Sequence, residues 1–350
     1  MQAVVFKEPF RVVLEERPIP TIQHPTDVVV KVQYTALCGS ELHVYRGHQP
    51  SGANFIMGHE FIGEVWETGS AIKDFRKGDD VIAPFTTSCG VCFYCSRSMS
   101  SRCVESKLFG SPVLDGGQAE YVRVPLADSS LVQTPEAIDK IKLVFMADIF
   151  PTGYFAALNA FKGIDEKEIN NSTVLVFGCG PVGLFALINA LSYRPGHVLA
   201  IDKVASRLQE AEKLGAEAWN YEKDEQGLKD RVMELTNGRG ADTVIEVVGH
   251  SDALRMGFDL LRPFGRISSV GVHNENLPWT GFEAYSKNLS IQLGRCPVRS
   301  VFPEALAEFV RNQSLYEPLT ADIRPLSQAP QSFEDFHLMK SQKIIFEAGK

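Results

Sequence analysis

Short β-branched and aromatic runs dominate the first 130 or so positions. Val28-Val29-Val30-Lys31-Val32, Gly63-Glu64-Val65-Trp66-Glu67 and Ala119-Glu120-Tyr121-Val122-Arg123-Val124 each read as a strand, with turns such as Lys77-Gly78-Asp79-Asp80 between them. Such spacing predicts a barrel-like or distorted sheet domain. Near residue 150 the pattern changes. Apolar strands at Val174-Leu175-Val176-Phe177, Val198-Leu199-Ala200-Ile201-Asp202, Thr243-Val244-Ile245-Glu246-Val247 and Arg266-Ile267-Ser268-Ser269-Val270-Gly271 are interleaved with helical stretches. One helix is expected from Val182 to about Ser192. Another surrounds Leu208, Ala211 and Leu214, which recur at helical spacing. Strand and helix alternate, so this region is expected to be a parallel, doubly wound sheet. From about residue 298 the alternation stops. Phe302-Pro303-Glu304 is expected to open a helix to about Asn312, and the chain closes on an apolar strand, Lys343-Ile344-Ile345-Phe346. Placing that tail on the first domain gives a discontinuous α/β architecture. A β-rich catalytic domain takes 1–152 and 298–350, and a cofactor domain, 153–297, is inserted in it.

Composition narrows the class. A chain of 350 residues, 44% of them hydrophobic, can bury two cores. The formal charge of -8 argues against nucleic acid or an anionic membrane as the main partner. No apolar run is long enough to span a bilayer, and Met1-Gln2-Ala3-Val4-Val5-Phe6-Lys7-Glu8 lacks a basic stretch leading into an apolar one, so a cytoplasmic location is expected. The cysteines number seven, an odd count that favours metal ligands and free thiols over a disulfide framework.

Four of the cysteines, Cys89, Cys92, Cys95 and Cys103, fall within fifteen residues. Two overlapping Cys-x-x-Cys steps and a nearby fourth thiol can close a tetrahedral shell on one ion, here a structural zinc. Beyond them lies a second set. Cys38, His59 and Asp148 offer thiolate, imidazole and carboxylate, the ligand types of a catalytic zinc with one open position. Each alone would pass as a core residue; the set draws weight from the four-cysteine cluster having its own complement. Ser40 and His43 follow Cys38 closely, so a hydroxyl and an imidazole could carry a proton towards solvent, although His43 also fits an ordinary surface helix position.

Gly178-Cys179-Gly180-Pro181-Val182-Gly183 is a G-x-G-x-x-G turn placed between a strand and a helix. Its glycines admit a pyrophosphate at the helix N-terminus. Asp202, at the end of the next strand, would accept from ribose hydroxyls and repel a 2′-phosphate, favouring NAD over NADP, or else cap the following helix. Lys203 and Arg207 would soften that repulsion. Val270, at the end of a later strand, is assigned to the cofactor site, and Lys343 is expected to reach a cofactor phosphate if the tail folds over the cleft. Phe85, between a strand end and the cysteine loop, is the aromatic placed in a substrate pocket.

Together these residues resemble the zinc-dependent medium-chain dehydrogenase/reductase family, the alcohol and polyol dehydrogenases, along essentially the whole chain. Gly58-His59-Glu60-x-x-Gly63-x5-Gly69, ending in Ile72 where the family usually has valine, resembles its zinc signature. The resemblance implies a GroES-like catalytic domain, a Rossmann cofactor domain, and catalytic zinc ligands at Cys38, His59 and Asp148. It implies that Glu60 approaches or replaces a ligand, that Ser40 and His43 form the proton relay, and that Thr152 lies against the nicotinamide. It also implies a homodimer or homotetramer, with Leu289-Ser290-Ile291-Gln292-Leu293 as the pairing edge. Gly39 departs from members with a basic residue there for the pyrophosphate. Aspartate as third ligand is similar to certain secondary-alcohol dehydrogenases and to glutathione-independent formaldehyde dehydrogenases, whose long insertions this chain lacks. The expected activity is reversible hydride transfer between a zinc-bound alcohol and NAD. The alternatives are an NAD-dependent aldehyde dehydrogenase or dismutase, a polyol dehydrogenase and, in another class, a zinc-binding nucleic-acid or scaffold protein.

Overall fold

The valine-rich N-terminal third buries both faces of its central strand. In the computed structural model, which describes residues 1–135 and 138–349, β1 (Gln2–Glu8) and β2 (Arg11–Glu16) form an antiparallel hairpin. β3 (Val28–Ala36) is the hub of the main sheet, and Val28, Val29 and Val30 are all fully buried. It pairs along its length with β4 (Glu60–Thr68), which pairs in turn with β5 (Asp80–Ala83). The other edge of β3 takes β6 (Tyr121–Val124) over its first half, while β7 (Val132–Gln133) flanks β5. Val28, Val30 and Val32 pack with Phe61, Val65 and Phe109 in one apolar cluster. The signature glycines are explained by close approach. A Cβ on Gly63 would lie 2.1 Å from the Lys31 carbonyl oxygen, and one on Gly69 would lie 2.3 Å from that of Pro25.

A separate unit, Thr152–Cys296, carries β8 (Thr173–Phe177), β9 (His197–Asp202), β10 (Glu217–Asn220), β11 (Ala241–Glu246), β12 (Leu261–Ser269) and β13 (Ser290–Leu293). All five pairings are parallel, in the order β10-β9-β8-β11-β12-β13. The chain leaves β8 towards β9 on one side and later returns to β11 on the other. The switch point therefore lies between β8 and β11, where ligands bind at the carboxyl ends of open α/β sheets. β8 is wholly buried, and the helix Pro181–Ser192 that follows has Pro181 at its first position, where a missing N–H costs nothing. β13 lies at the sheet edge with all four residues exposed.

The tail does return to the first unit, which comprises Met1–Pro151 and Pro297–Lys350, one residue away from each expected boundary. β14 (Ile323–Pro325) pairs with β15 (Ile345–Glu347), and β15 pairs with the second half of β3. The expected helix start at Phe302 is corrected. The helix runs Val298–Asn312 with Pro303 inside it. Proline removes one intrahelical hydrogen bond and crowds the carbonyl four residues back, so the turn before it stays helical where other contacts hold it. Here Ser300 and Ser100 exchange backbone-to-hydroxyl bonds at 3.2 Å, and Phe302 is buried.

Gly63→Ala is expected to destabilise the first unit by about 1–3 kcal/mol through the clash with Lys31. A lowered thermal midpoint would show it, and an unchanged midpoint would contradict the close-approach account.

Candidate metal centres and nucleotide-binding turn

Three chain segments converge on the catalytic candidates within the first unit. Cys38 follows β3, His59 immediately precedes β4, and Asp148 sits just before the helix Ile149–Phe161. The ligand atoms of Cys38, His59, Glu60 and Asp148 lie within 4.8 Å of one another. His59 Nε2 is 3.3 Å from Asp148 Oδ2, and Cys38 Sγ is 3.8 Å from the same oxygen. Ser40 Oγ donates to Cys38 Sγ at 3.3 Å and lies 3.4 Å from His59 Nε2. The Phe85 ring stands edge-on to the imidazole, with centroids 6.2 Å apart. His43 is half-buried beside His48, with ring centroids 6.5 Å apart. Its backbone N–H donates to the Ser40 carbonyl at 3.2 Å, but among the described residues no hydrogen bond joins its imidazole to the Ser40 hydroxyl, so a proton passing between those side chains needs a bridging hydroxyl.

Sequence reasoning missed Glu41. Its buried carboxyl accepts from the backbone N–H of Cys38 at 2.9 Å and of Gly58 at 3.0 Å. Gln118 Nε2 donates to both of its oxygens. One side chain thus ties the loop carrying one candidate ligand to the residue preceding another. Gly58 has φ +99°, and a Cβ there would lie 2.5 Å from the Gln118 nitrogen. An acidic residue three positions after a ligand cysteine was the available signal, but a surface helix position explains it equally well in sequence.

The structure places Lys343 beside the candidate metal ligands. It is buried, and its ammonium donates to Glu60 Oε2 at 2.6 Å and to the Leu37 carbonyl at 3.0 Å. Its ammonium is held by a carboxylate beside the metal candidates. A buried carboxylate needs a partner, and the tail supplies one.

These donors fit a divalent cation. Burial, then the Glu60 charge, push the Cys38 thiol above its ordinary range. Burial also raises Glu60, against the opposing pull of Lys343. Burial would lower His59, yet the Cys38 charge and the hydrogen bond with Asp148 outweigh it and hold the imidazole well above its usual value. Glu60 Oε1 is buried without a hydrogen-bond partner. All of these mark negative charge short of a counter-ion, and thiolate, imidazole and carboxylate are zinc ligands.

The second cluster is as expected. Cys89, Cys92, Cys95 and Cys103 bring their sulfurs within 4.8 Å of one another. Backbone N–H groups of Cys89 and Glu105 donate to Cys103 Sγ, and that of Cys92 donates to Cys89 Sγ. N–H donors from Cys95 and Val104 lower the Cys92 thiol to about 6, whereas burial and the neighbouring thiols push Cys95 up to about 12. The lobe exposes Val91, Phe93 and Val104, so it has little core of its own. Four closely set sulfurs with amide donors suit a four-thiolate ion that would organise it.

In the second unit the glycines of the turn divide their roles. Gly178 has φ +92°, and a Cβ on Gly183 would lie 1.8 Å from the Gly178 oxygen. Gly180 meets only the Arg207 guanidinium, at 3.8 Å, and leaves open space where a phosphate would approach. Asp202 Oδ2 accepts from Cys179 N at 2.7 Å, while Oδ1 accepts from the N–H groups of Lys203 and Val204. It therefore pins the turn to the end of β9. It is not the cap of the next helix, whose N-cap is Val204. Lys203 pairs with Glu222, and Arg207 lies 3.8 Å from Asp202. Thr152 lies in the helix Ile149–Phe161, and Val270 follows β12, where its N–H donates to the Glu246 carbonyl.

Comparison with known proteins agrees with this arrangement. Residues 24–136 match the alcohol dehydrogenase GroES-like domain, and residues 181–311 match the zinc-binding dehydrogenase domain. Zinc-type alcohol dehydrogenase B of Aspergillus flavus is 60% identical over 350 residues, spanning 100% of this chain and 82% of that protein. An uncharacterized zinc-type alcohol dehydrogenase-like protein of Bacillus subtilis is 33% identical, with 96% of each covered. Among solved structures, an alcohol dehydrogenase from Thermus sp. ATN1 superposes with a TM-score of 0.90 at 34% identity, covering 99% of this chain and 100% of that one.

Lys343→Met leaves the Glu60 carboxylate buried without its ammonium, and is expected to cost about 3–5 kcal/mol in unfolding experiments; an unchanged stability would contradict the pairing. Stripping metal with a strong chelator is expected to expose residues 88–105 to protease, with cleavage sites read by mass spectrometry. Unchanged cleavage would mean that the cysteine lobe holds no structural ion.

Proposed function

Because this chain belongs to the zinc-dependent medium-chain dehydrogenase/reductase family and is an oxidoreductase, we propose that it interconverts an alcohol and its carbonyl compound, using NAD and two zinc ions per chain. The observation that carries the reading is the convergence of Cys38, His59 and Asp148 beside the Ser40 hydroxyl. Zinc on those three residues would supply Lewis acidity that lowers the pKa of a bound hydroxyl, and NAD would supply the hydride acceptor.

The chain's own residues do the rest. Ser40 Oγ, within 3.4 Å of two candidate ligands, is placed to take the alcohol proton. His43 is the onward acceptor, reached through a bridging water or ligand hydroxyl, and burial lowers its pKa, which keeps it neutral and ready to accept. Phe85 lies beside the imidazole as an apolar neighbour and favours an apolar substituent on the substrate. Glu60, tethered by Lys343, is a reserve ligand beside the three. Asp202 favours NAD, and the pairing of Lys203 with Glu222 supports this by drawing the ammonium away from a 2′-phosphate. Two copies would pair along the exposed β13 edge as a homodimer, or a homotetramer built from it. The matched relatives favour alcohol oxidation over the aldehyde reading.

An absorbance assay at 340 nm with primary alcohols, secondary alcohols, polyols and aldehydes tests the reading. Alcohol-dependent reduction of NAD is expected, with a higher kcat/KM than for NADP. His59→Ala is expected to abolish turnover while NADH still binds. Full activity in metal-depleted protein, or acid as the sole product from aldehydes, would overturn it.

A further inference from the structure

A buried cluster in the second unit is left unused by this chemistry. Glu246 ends β11 and is fully buried, yet its carboxyl is satisfied on both oxygens. Oε1 accepts from the backbone N–H of Val248 at 2.6 Å and of Gly249 at 2.7 Å. Oε2 accepts from Ser269 Oγ at 2.6 Å and from His273 Nε2 at 2.9 Å, and that ring nitrogen is also 3.0 Å from Ser269 Oγ. One carboxyl therefore holds the loop after β11 through two amides, the last residue of β12 through a hydroxyl, and the loop after β12 through an imidazole. The two loops also touch backbone to backbone. A Cβ on Gly271 would lie 2.2 Å from the Gly249 nitrogen, and one on Gly249 would lie 2.6 Å from the Val272 nitrogen.

Both loops leave the carboxyl ends of strands on the far side of the switch point from Asp202. A dinucleotide lies across such a switch point, one nucleotide over each half of the sheet. Asp202 and the glycine turn belong to the adenosine half, so the loops after β11 and β12 belong to the other. After β12 the chain runs from Val270 to Thr280 without helix or strand before Gly281–Lys287 begins. The far end of this stretch is held by the helix Ser251–Leu260, through Ser251 to Glu275, Arg255 to the Pro278 carbonyl and Trp279 stacked on Phe258, whereas near β12 the His273 side chain ties it across to Glu246 of another strand.

We infer that Glu246 and His273 are positioning residues that hold the loop after β12 in the shape that receives the nicotinamide half of the cofactor. The inference rests on the dinucleotide reading given above. Four donors on one buried carboxyl make a rigid mount, because loss of any donor leaves an oxygen under-satisfied away from water. The geometry needs no contact between either residue and the cofactor.

Binding titrations on the full-length, zinc-loaded protein test it, using NADH and ADP-ribose, which lacks the nicotinamide. His273→Ala is expected to weaken NADH by about tenfold while ADP-ribose stays within about twofold. His273→Gln, which keeps an N–H donor, is expected to recover most of the loss. Glu246→Gln provides a second route to the same differential if the alanine variant folds poorly. An equal loss for both ligands, or unchanged NADH affinity in His273→Ala, overturns the inference. If the unaltered protein binds neither ligand, the dinucleotide reading itself fails and takes this one with it.

Discussion

A thiol, an imidazole and two carboxyls share a buried space less than 5 Å across, with the Glu41 carboxyl tied in behind them. That concentration of acidic groups is the constraint on which the first unit is built. Away from water such groups cannot all be ionised unless cations join them. Lys343 supplies one positive charge from within the chain, and the ligand types present call for a metal to supply more. The polypeptide that returns after the parallel-sheet unit helps to meet the same requirement. The tail that brings β15 against β3 also carries the lysine that neutralises Glu60.

Rigidity around the cluster comes from backbone contact as much as from side chains. Gly58 sits against Gln118, and Cβ atoms on Gly110 and Gly116 would strike its nitrogen and oxygen. The peptide that presents His59 is therefore clamped on several sides, while Glu41 fixes its spacing from Cys38. In metal centres the groups that orient ligands matter nearly as much as the ligands, since affinity depends on a shell that is assembled before the ion arrives.

Buried carboxyls recur as fasteners in the second unit. Asp202 and Glu246 end strands in adjacent halves of the parallel sheet; main-chain N–H groups saturate Asp202, and two of them share Glu246 with a hydroxyl and an imidazole. Charge-assisted bonds of this kind are stronger than neutral ones. Placed at strand ends, they fix the two loop systems that flank the switch point. One carboxyl shapes the glycine turn, and the other joins the loops after β11 and β12.

The alternation of strand and helix, the glycine turn and the cysteine lobe were legible in the order of residues, because each depends on local spacing. The candidate ligands Cys38, His59 and Asp148, spread over 110 positions, drew their weight from the family resemblance, and the fold brings them together. Helix ends were less legible. Pro303 read as a helix start because local rules favour proline there, and tertiary contacts, the Ser100–Ser300 exchange and the burial of Val298 and Phe302 among them, carry the helix back to Val298. The assignments of Lys343, Glu41, Glu246 and His273 were decided by tertiary structure alone. Each is an ordinary charged or polar residue whose role is set by a partner far away in sequence: Glu60 for Lys343, Gly58 for Glu41, and Ser269 and His273 for Glu246. Sequence displays which groups can ionise. Only the fold decides which of them are removed from water together, and that burial turns an ordinary charge into a structural requirement.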